Sequence, residues 1–297
     1  MLPQLNSNAR PSRCVLSALA LGVFCWGVFG LRISGAGAPL DVDEARRLQD
    51  DAAYLRRLGR WRSALKPVLR LHAASPESHI YLSQLAEIYH HLERYGDEAA
   101  TWEEFLVHAP LPIEGCPQIG QAYEKQGLPK QAIGAFEKCL LLDPNNADTI
   151  LYLALALEHN GDTARAAALY ERGFALRPDN GDLRTGLARA RLRQGRAQDA
   201  RKLAGGVLDQ APTNVDALLV AGLACQRLGD RGKAREYLER GVHLADTYTD
   251  FHVALGNMAE QDADLVQART HYRRVMELDK SNREVAQRLD SIERVHP

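Results

Sequence analysis

Proline recurs every 34 residues through most of this chain: Pro76, Pro110, Pro144, Pro178 and Pro212 keep that spacing, and the same step then reaches Asp246 and Lys280. A fixed period of this length means a stack of similar units, each burying its apolar surface against its neighbours. With these residues as position 32, seven repeats begin at Ala45, His79, Ile113, Ala147, Gly181, Val215 and Thr249.

Two columns of the repeat are small. Position 8 reads Ala52, Ala86, Gly120, Ala154, Ala188, Gly222 and Gly256; position 20 reads Ala64, Glu98, Ala132, Ala166, Ala200, Ala234 and Ala268, with Glu98 the exception. Helices approach closely only where side chains are small, so the columns predict the crossing of an antiparallel helix pair. Position 15 holds Gly59, Gly127, Gly161, Gly195 and Gly229, suited to the left-handed residue that ends a first helix. Position 24 is mostly large (Val68, Trp102, Phe136, Tyr170, Ala204, Leu238, Tyr272) and predicts knobs filling space between neighbouring repeats. Asp148, Asp182, Asp216 and Asp250 recur at position 2, where carboxylates can cap free amides and complement the helix dipole.

The period, the small columns, the large column and the closing proline together resemble the tetratricopeptide repeat family over Ala45 to Asn282. The resemblance implies an all-α fold: a right-handed α-solenoid of seven helix-turn-helix repeats over 45–282, with first helices lining a concave groove for a protein or peptide partner. Arg283 to Val295, within the final segment 283–297, puts Val285, Leu289 and Ile292 on one face and charges elsewhere, as a C-terminal capping helix requires. Three repeats depart from the pattern. The third opens with Pro112, Gly115 and Pro117, which predicts a late first helix. The second has Glu93 at the glycine position and Gly96 three residues later, which predicts a shifted turn. The fifth places Arg184 and Arg191 at the usually apolar positions 4 and 11, which puts its packing or its phase in question.

Ahead of the array, after an N-terminal tail at 1–13, Cys14 to Leu31 runs for eighteen residues without a charge. At 1.5 Å per residue it reaches roughly 27 Å, close to the thickness of a hydrocarbon core. A transmembrane helix or signal anchor over 14–32, followed by a linker at 33–44, is therefore expected, with cleavage near Ser34-Gly35-Ala36 as the alternative. Arg10 and Arg13 precede the run while Asp41, Asp43 and Glu44 follow its closing Arg32, which favours an inside amino terminus. Thirty arginines against seven lysines fit a high-GC bacterial coding sequence. The expected location is a single-pass protein of a bacterial inner membrane with its repeats in the periplasm.

Chemistry is sparse. Thirty-seven basic and 38 acidic side chains leave a net charge of -1 and no overall field for nucleic acid. Ser63-Ala64-Leu65-Lys66 matches a Ser-x-x-Lys pattern without the partner motifs that give it meaning. Gly229 to Lys233 lacks the spacing of a phosphate loop, and the five cysteines include no Cys-x-x-Cys pair. Accordingly no catalytic residue, metal or cofactor is expected. Cys116 and Cys139 fall at positions 4 and 27 of one repeat, on opposed helices, and outside the cytoplasm could lie near enough to pair. Burial as free thiols is the expectation, because such positions form core.

Function then falls to surfaces. Positions 2, 5, 9 and 12 of each first helix share a face turned away from 4, 8 and 11. Leu151, Leu155, Arg189, Leu219, Leu223, Val253 and Asn257 occupy positions 5 and 9 of the last four repeats, with Thr185 beside them. An apolar strip interrupted by arginine suits an extended or helical peptide with hydrophobic anchors and an acidic group; packing of these leucines against adjoining helices is the competing reading. Gln49, Ala53, Ser83 and Glu87 do not reproduce the lysine and asparagine clamp of chaperone-binding family members. Arg56, Arg57, Arg60, Arg62, Lys66 and Arg70 could meet anionic lipid or form a solvated face, and Arg184 to Arg201 is a second basic stretch of the same ambiguity. The sequence reads as a membrane-tethered, non-catalytic scaffold acting as an assembly or secretion accessory factor. A regulatory subunit with cytoplasmic repeats and a secreted binding module are the alternatives.

Overall fold

The structure is a computed structural model that describes residues 39–109 and 115–295. The expected membrane helix at 14–32 lies outside the described residues, as does Pro112. No helix among the described residues is long and apolar enough to cross a membrane.

Fifteen α-helices follow one another among the described residues. The first six are α1 (Val42–Arg57), α2 (Trp61–Ala74), α3 (His79–His91), α4 (Tyr95–His108), α5 (Cys116–Lys125) and α6 (Pro129–Leu142). Next come α7 (Ala147–His159), α8 (Thr163–Leu176), α9 (Gly181–Arg193), α10 (Ala197–Leu208) and α11 (Val215–Arg227). The last four are α12 (Arg231–Leu244), α13 (Thr249–Gln261), α14 (Leu265–Leu278) and α15 (Arg283–Val295). Each odd helix up to α13 pairs with the even one after it, successive pairs stack and α15 packs on α14, so the fold is an all-α solenoid. Odd helices up to α13 are the first helices of their repeats; even ones are the second.

Local chemistry explains where the helices start. Asn146, Asn180 and Asn214 precede α7, α9 and α11 and accept backbone N–H bonds from Thr149 (2.9 Å), Leu183 (3.0 Å) and Ala217 (2.8 Å). Asp162, Asp230 and Asp264 do the same for α8, α12 and α14. The expected capping role of Asp148, Asp182, Asp216 and Asp250 is thus corrected: these residues lie one position inside the first turn. There a carboxylate complements the helix dipole, while the residue before the helix has the extended backbone that lets a side chain reach back to the free amides.

The turn within each repeat needs one left-handed residue. Gly59, Gly127, Gly161, Gly195 and Gly229 supply it, and Glu93 and Ala263 take the same conformation at φ 57°. The predicted shift of the second turn does not occur, because Glu93 itself adopts the glycine backbone and α4 begins in register. The third repeat does start late, at Cys116, with Pro117 in the first turn of α5. In the fifth repeat the phase holds: α9 opens at Gly181, and Arg184 and Arg191 are half-buried along it.

The two small columns are buried throughout, including Glu98 at 4 % exposure. Position-24 side chains sit over the small residue at position 8 of their own repeat: a Cβ on Gly120, Gly222 or Gly256 would come within 2.2, 2.7 and 2.5 Å of Phe136, Leu238 and Tyr272. The expectation that these knobs fill space between repeats is therefore refined, since their closest fit is within one. Neighbouring repeats are also stitched by a column the sequence reading missed. At position 26, Arg172 and Arg240 donate to the carbonyls of Pro144 and Pro212 in the preceding repeat, the second at 3.0 Å, and Arg274 pairs with Asp246 there. At the end of the array, α15 buries Val285 and Ile292 against the cluster of Tyr272 and Val275, with Leu289 half-buried beside them.

Candidate functional site

The residues singled out at positions 5 and 9 lie at two depths. Leu151 and Leu219 are only 8 % and 9 % exposed and belong to the core clusters of α6–α9 and α9–α13, while Leu155, Leu223 and Val253 are half-buried against those clusters and the next. Thr185 between them is buried and returns its hydroxyl to the Gly181 carbonyl at 2.8 Å. The strip that reaches the surface is thus Leu155, Leu223 and Val253, with Leu151 and Leu219 supporting it.

Arg189 was expected to offer its charge to a partner's acid. Instead its Nε lies 2.9 Å from Oε1 of Glu158 on the preceding first helix. Glu158 also pairs with Arg193 and accepts the Tyr170 hydroxyl at 2.8 Å. Burial, then the Glu158 charge and hydrogen bond, push the Tyr170 phenol well above its ordinary value. Burial is the largest influence on Arg189 and works against its charge, but Glu158, Tyr170 and Asp216 together outweigh it and strengthen the guanidinium. The arginine therefore cross-links the fourth and fifth repeats.

The same device recurs three repeats later. Tyr272 points its hydroxyl at Glu260 (2.8 Å) and at the Asn257 side-chain oxygen (2.7 Å), and Arg288 of α15 donates to Glu260 at 3.0 Å. A polar cavity of about 380 Å³ opens beside this group, lined by Gln226, Asn257, Glu260, Gln261 and Arg288. Of the predicted residues only Asn257 lines it. The others sit at positions 12 and 13 or on α15, where nothing marks them until neighbouring first helices are side by side.

The third repeat holds a covalent link. Cys116 and Cys139 form a disulfide with their Cα atoms 5.5 Å apart, and the expectation of free thiols is corrected. Positions 4 and 27 face each other across the helix pair at a separation a disulfide spans without backbone movement. Cys225 is buried as a free thiol. In the first basic cluster Arg56 pairs with Glu87 and Arg70 lies 4.0 Å from Glu44, whereas Arg57, Arg60, Arg62 and Lys66 are exposed or half-exposed. Among the described residues no group of three His, Cys, Asp or Glu side chains is placed to hold a metal.

Comparison with known proteins agrees with this architecture. Three profiles described as tetratricopeptide repeat match residues 118–146, 135–168 and, in two overlapping stretches, 157–205 and 191–258. Over 118–258 the chain is built of tetratricopeptide repeats. Its solenoid is similar to a tetratricopeptide repeat protein from Parabacteroides merdae at 11 % identity and TM-score 0.65, covering 84 % of this chain and 99 % of that one. It is also similar to the C-terminal part of a repeat protein from Cytophaga hutchinsonii (17 % identity, TM-score 0.56, 80 % and 97 % covered). A third likeness is to YrrB, described as a TPR protein with an unusual peptide-binding site (19 % identity, TM-score 0.52, 63 % and 96 % covered). No curated protein matches the sequence. Tetratricopeptide repeats are typically non-catalytic scaffolds for protein and peptide partners.

Proposed function

We propose that the tetratricopeptide repeats hold a partner peptide on the face of their first helices, and that 14–32 tethers them to a bacterial inner membrane with the repeats in the periplasm. The observation that carries the groove is the half-buried strip of Leu155, Leu223 and Val253, which ends at the polar cavity of Asn257. Apolar surface flanked by a few convergent polar groups suits a peptide with hydrophobic anchors. Leu151 and Leu219 support the strip from below, and Arg189 borders it while anchored to Glu158. The Cys116–Cys139 disulfide supports the placement outside the cytoplasm, because such bonds persist in oxidising compartments. In this reading the protein is an accessory factor of assembly or secretion and performs no chemistry.

The test is affinity capture of the full-length protein from its native membrane after gentle cross-linking, alongside a Leu155→Ser, Leu223→Ser variant. Extracytoplasmic partners that are lost with the variant, at unchanged helicity and melting, are the expected result. Capture of cytoplasmic enzymes would reverse the orientation and favour a regulatory subunit. Partners retained by the variant would remove the groove.

A further inference from the structure

A second cavity lies on the other side of the helix stack, and departures from the repeat pattern build it. Helices α8 and α10 each pack on α9 and scarcely touch each other, which leaves a furrow with α9 as its floor. A cavity of about 580 Å³ occupies it, with Phe174, Leu187 and Leu203 as its apolar surface.

Three features unique to the fifth repeat converge there. Position 4 is Arg184 where Leu48, Leu82, Ile150 and Leu218 stand in other repeats, and position 11 is Arg191, the only charged residue of its column. Position 26 is Gly206 in place of the stitching arginines. The changes at positions 4 and 26 are complementary: a Cβ at Gly206 would stand 2.9 Å from Nη1 of Arg184, which instead donates to the Gly206 carbonyl at 3.0 Å. The cation that elsewhere reaches back along the solenoid is here replaced by one that enters the furrow from its floor.

Charge in the furrow is unbalanced. The rim carboxylates Glu171 and Asp199 are already paired with Arg191 and Arg196. Arg184 and Lys202 have no acidic side chain within ion-pair distance among the described residues, and the Arg184 Nε is buried without an acceptor. Arg184 also lies 5.5 Å from the Phe174 ring centroid, so a cation and an apolar surface sit side by side. An unpaired guanidinium nitrogen out of water is costly unless an acceptor reaches it.

We infer that this furrow docks a segment of a partner protein in which an apolar residue is flanked by carboxylates. The apolar side chain rests on Phe174, Leu187 and Leu203, and the carboxylates accept from Arg184 and Lys202. A polyphosphate is disfavoured by Glu171 and Asp199 at the rim, and the cavity has room for one or two side chains rather than a duplex. This site is separate from the first-helix groove and stands or falls independently of it.

The probe is an array of twelve-residue peptides with a central Leu or Phe flanked by Asp and Glu, beside matched peptides carrying Gln and Asn. Binding of the full-length protein to the acidic set is expected, weakened at least tenfold by Lys202→Glu and by Arg184→Met and reduced by salt. Lys202 is exposed, so its reversal keeps the test valid if Arg184→Met perturbs folding. The Leu155→Ser, Leu223→Ser variant is expected to bind the acidic set normally. Equal binding to both sets, no binding to the acidic set, or loss only in the leucine variant would each overturn the inference. So would Lys202-dependent binding to phosphatidylglycerol vesicles, or Lys202-dependent dimerisation, without acidic-peptide binding.

Discussion

Gly120 and Phe136 fit together as a unit: a Cβ on the glycine would stand 2.2 Å from the ring. Replacing Gly120 with Ala must displace a fully buried aromatic side chain, and overpacking of this kind costs about 1–3 kcal/mol. Gly134, also helical, has open space where a methyl group would stand, so Gly134→Ala is expected to be neutral or to stabilise by about 0.5–1 kcal/mol. The urea midpoint should fall for Gly120→Ala and hold or rise for Gly134→Ala, and equal destabilisation of the two would contradict this packing.

Glu93 and Ala263 hold the left-handed turn conformation that glycine takes in the other repeats. A side chain in that region costs roughly 1–2 kcal/mol, partly offset by the entropy glycine loses on folding. Glu93→Gly and Ala263→Gly are each expected to stabilise their repeat by about 0.5–1 kcal/mol. Slower amide exchange in the flanking helices would be the sign; faster exchange would place the turn in another conformation.

The Cys116–Cys139 link closes a 23-residue separation. Loop-entropy reasoning gives about 3 kcal/mol for a closure of that size. Reduction, or Cys139→Ser, should therefore lower the unfolding midpoint and loosen α5, which is only ten residues long. A non-reduced digest of the protein from its native membrane should yield the two cysteine peptides joined; finding both alkylated as free thiols would remove the link and the compartment argument with it.

His252 and His271 face each other with their Nδ1 atoms 3.1 Å apart, while Nε2 of buried His252 meets the Asp246 carbonyl and carboxylate at 3.1 and 3.2 Å. Burial first, then His252 and Arg235, push His271 below its ordinary value. Asp246 is held ionised by Arg274 and, to a lesser extent, His252. A histidine that resists protonation in the fold contributes stability above its unfolded value, near 6.5, and loses it as pH falls through that value toward the folded one. Amide protection in α13 and α14, corrected for the intrinsic exchange rate at each pH, should therefore fall as pH drops below about 6.5, and much less in His271→Leu. A pH-independent profile in the native protein would rule this out.

Much of the architecture was legible because a repeat array is held by local and nearest-neighbour contacts, and these recur in the sequence at the same period. The repeat starts at Ala147, Gly181, Val215 and Thr249, the buried small columns and the apolar face of Arg283 to Val295 all follow from spacing. The candidate site was less legible. Leu151 and Leu155 have the same residue type and the same helical face, yet their depths differ because a neighbouring helix covers one more than the other.

By itself the sequence determined an all-helical stack with its turns, its small crossings and its closing helix, since each depends on residues within one repeat. Tertiary structure alone decided where charges and sulfurs go. Glu158 takes up Arg189 from the next repeat, Cys139 reaches Cys116 across a helix pair, and Gly206 admits Arg184 from another helix. Those outcomes turn on distances of a few ångströms between side chains far apart in the chain, and a periodic pattern fixes the backbone that carries them without fixing which rotamer or partner each one finds.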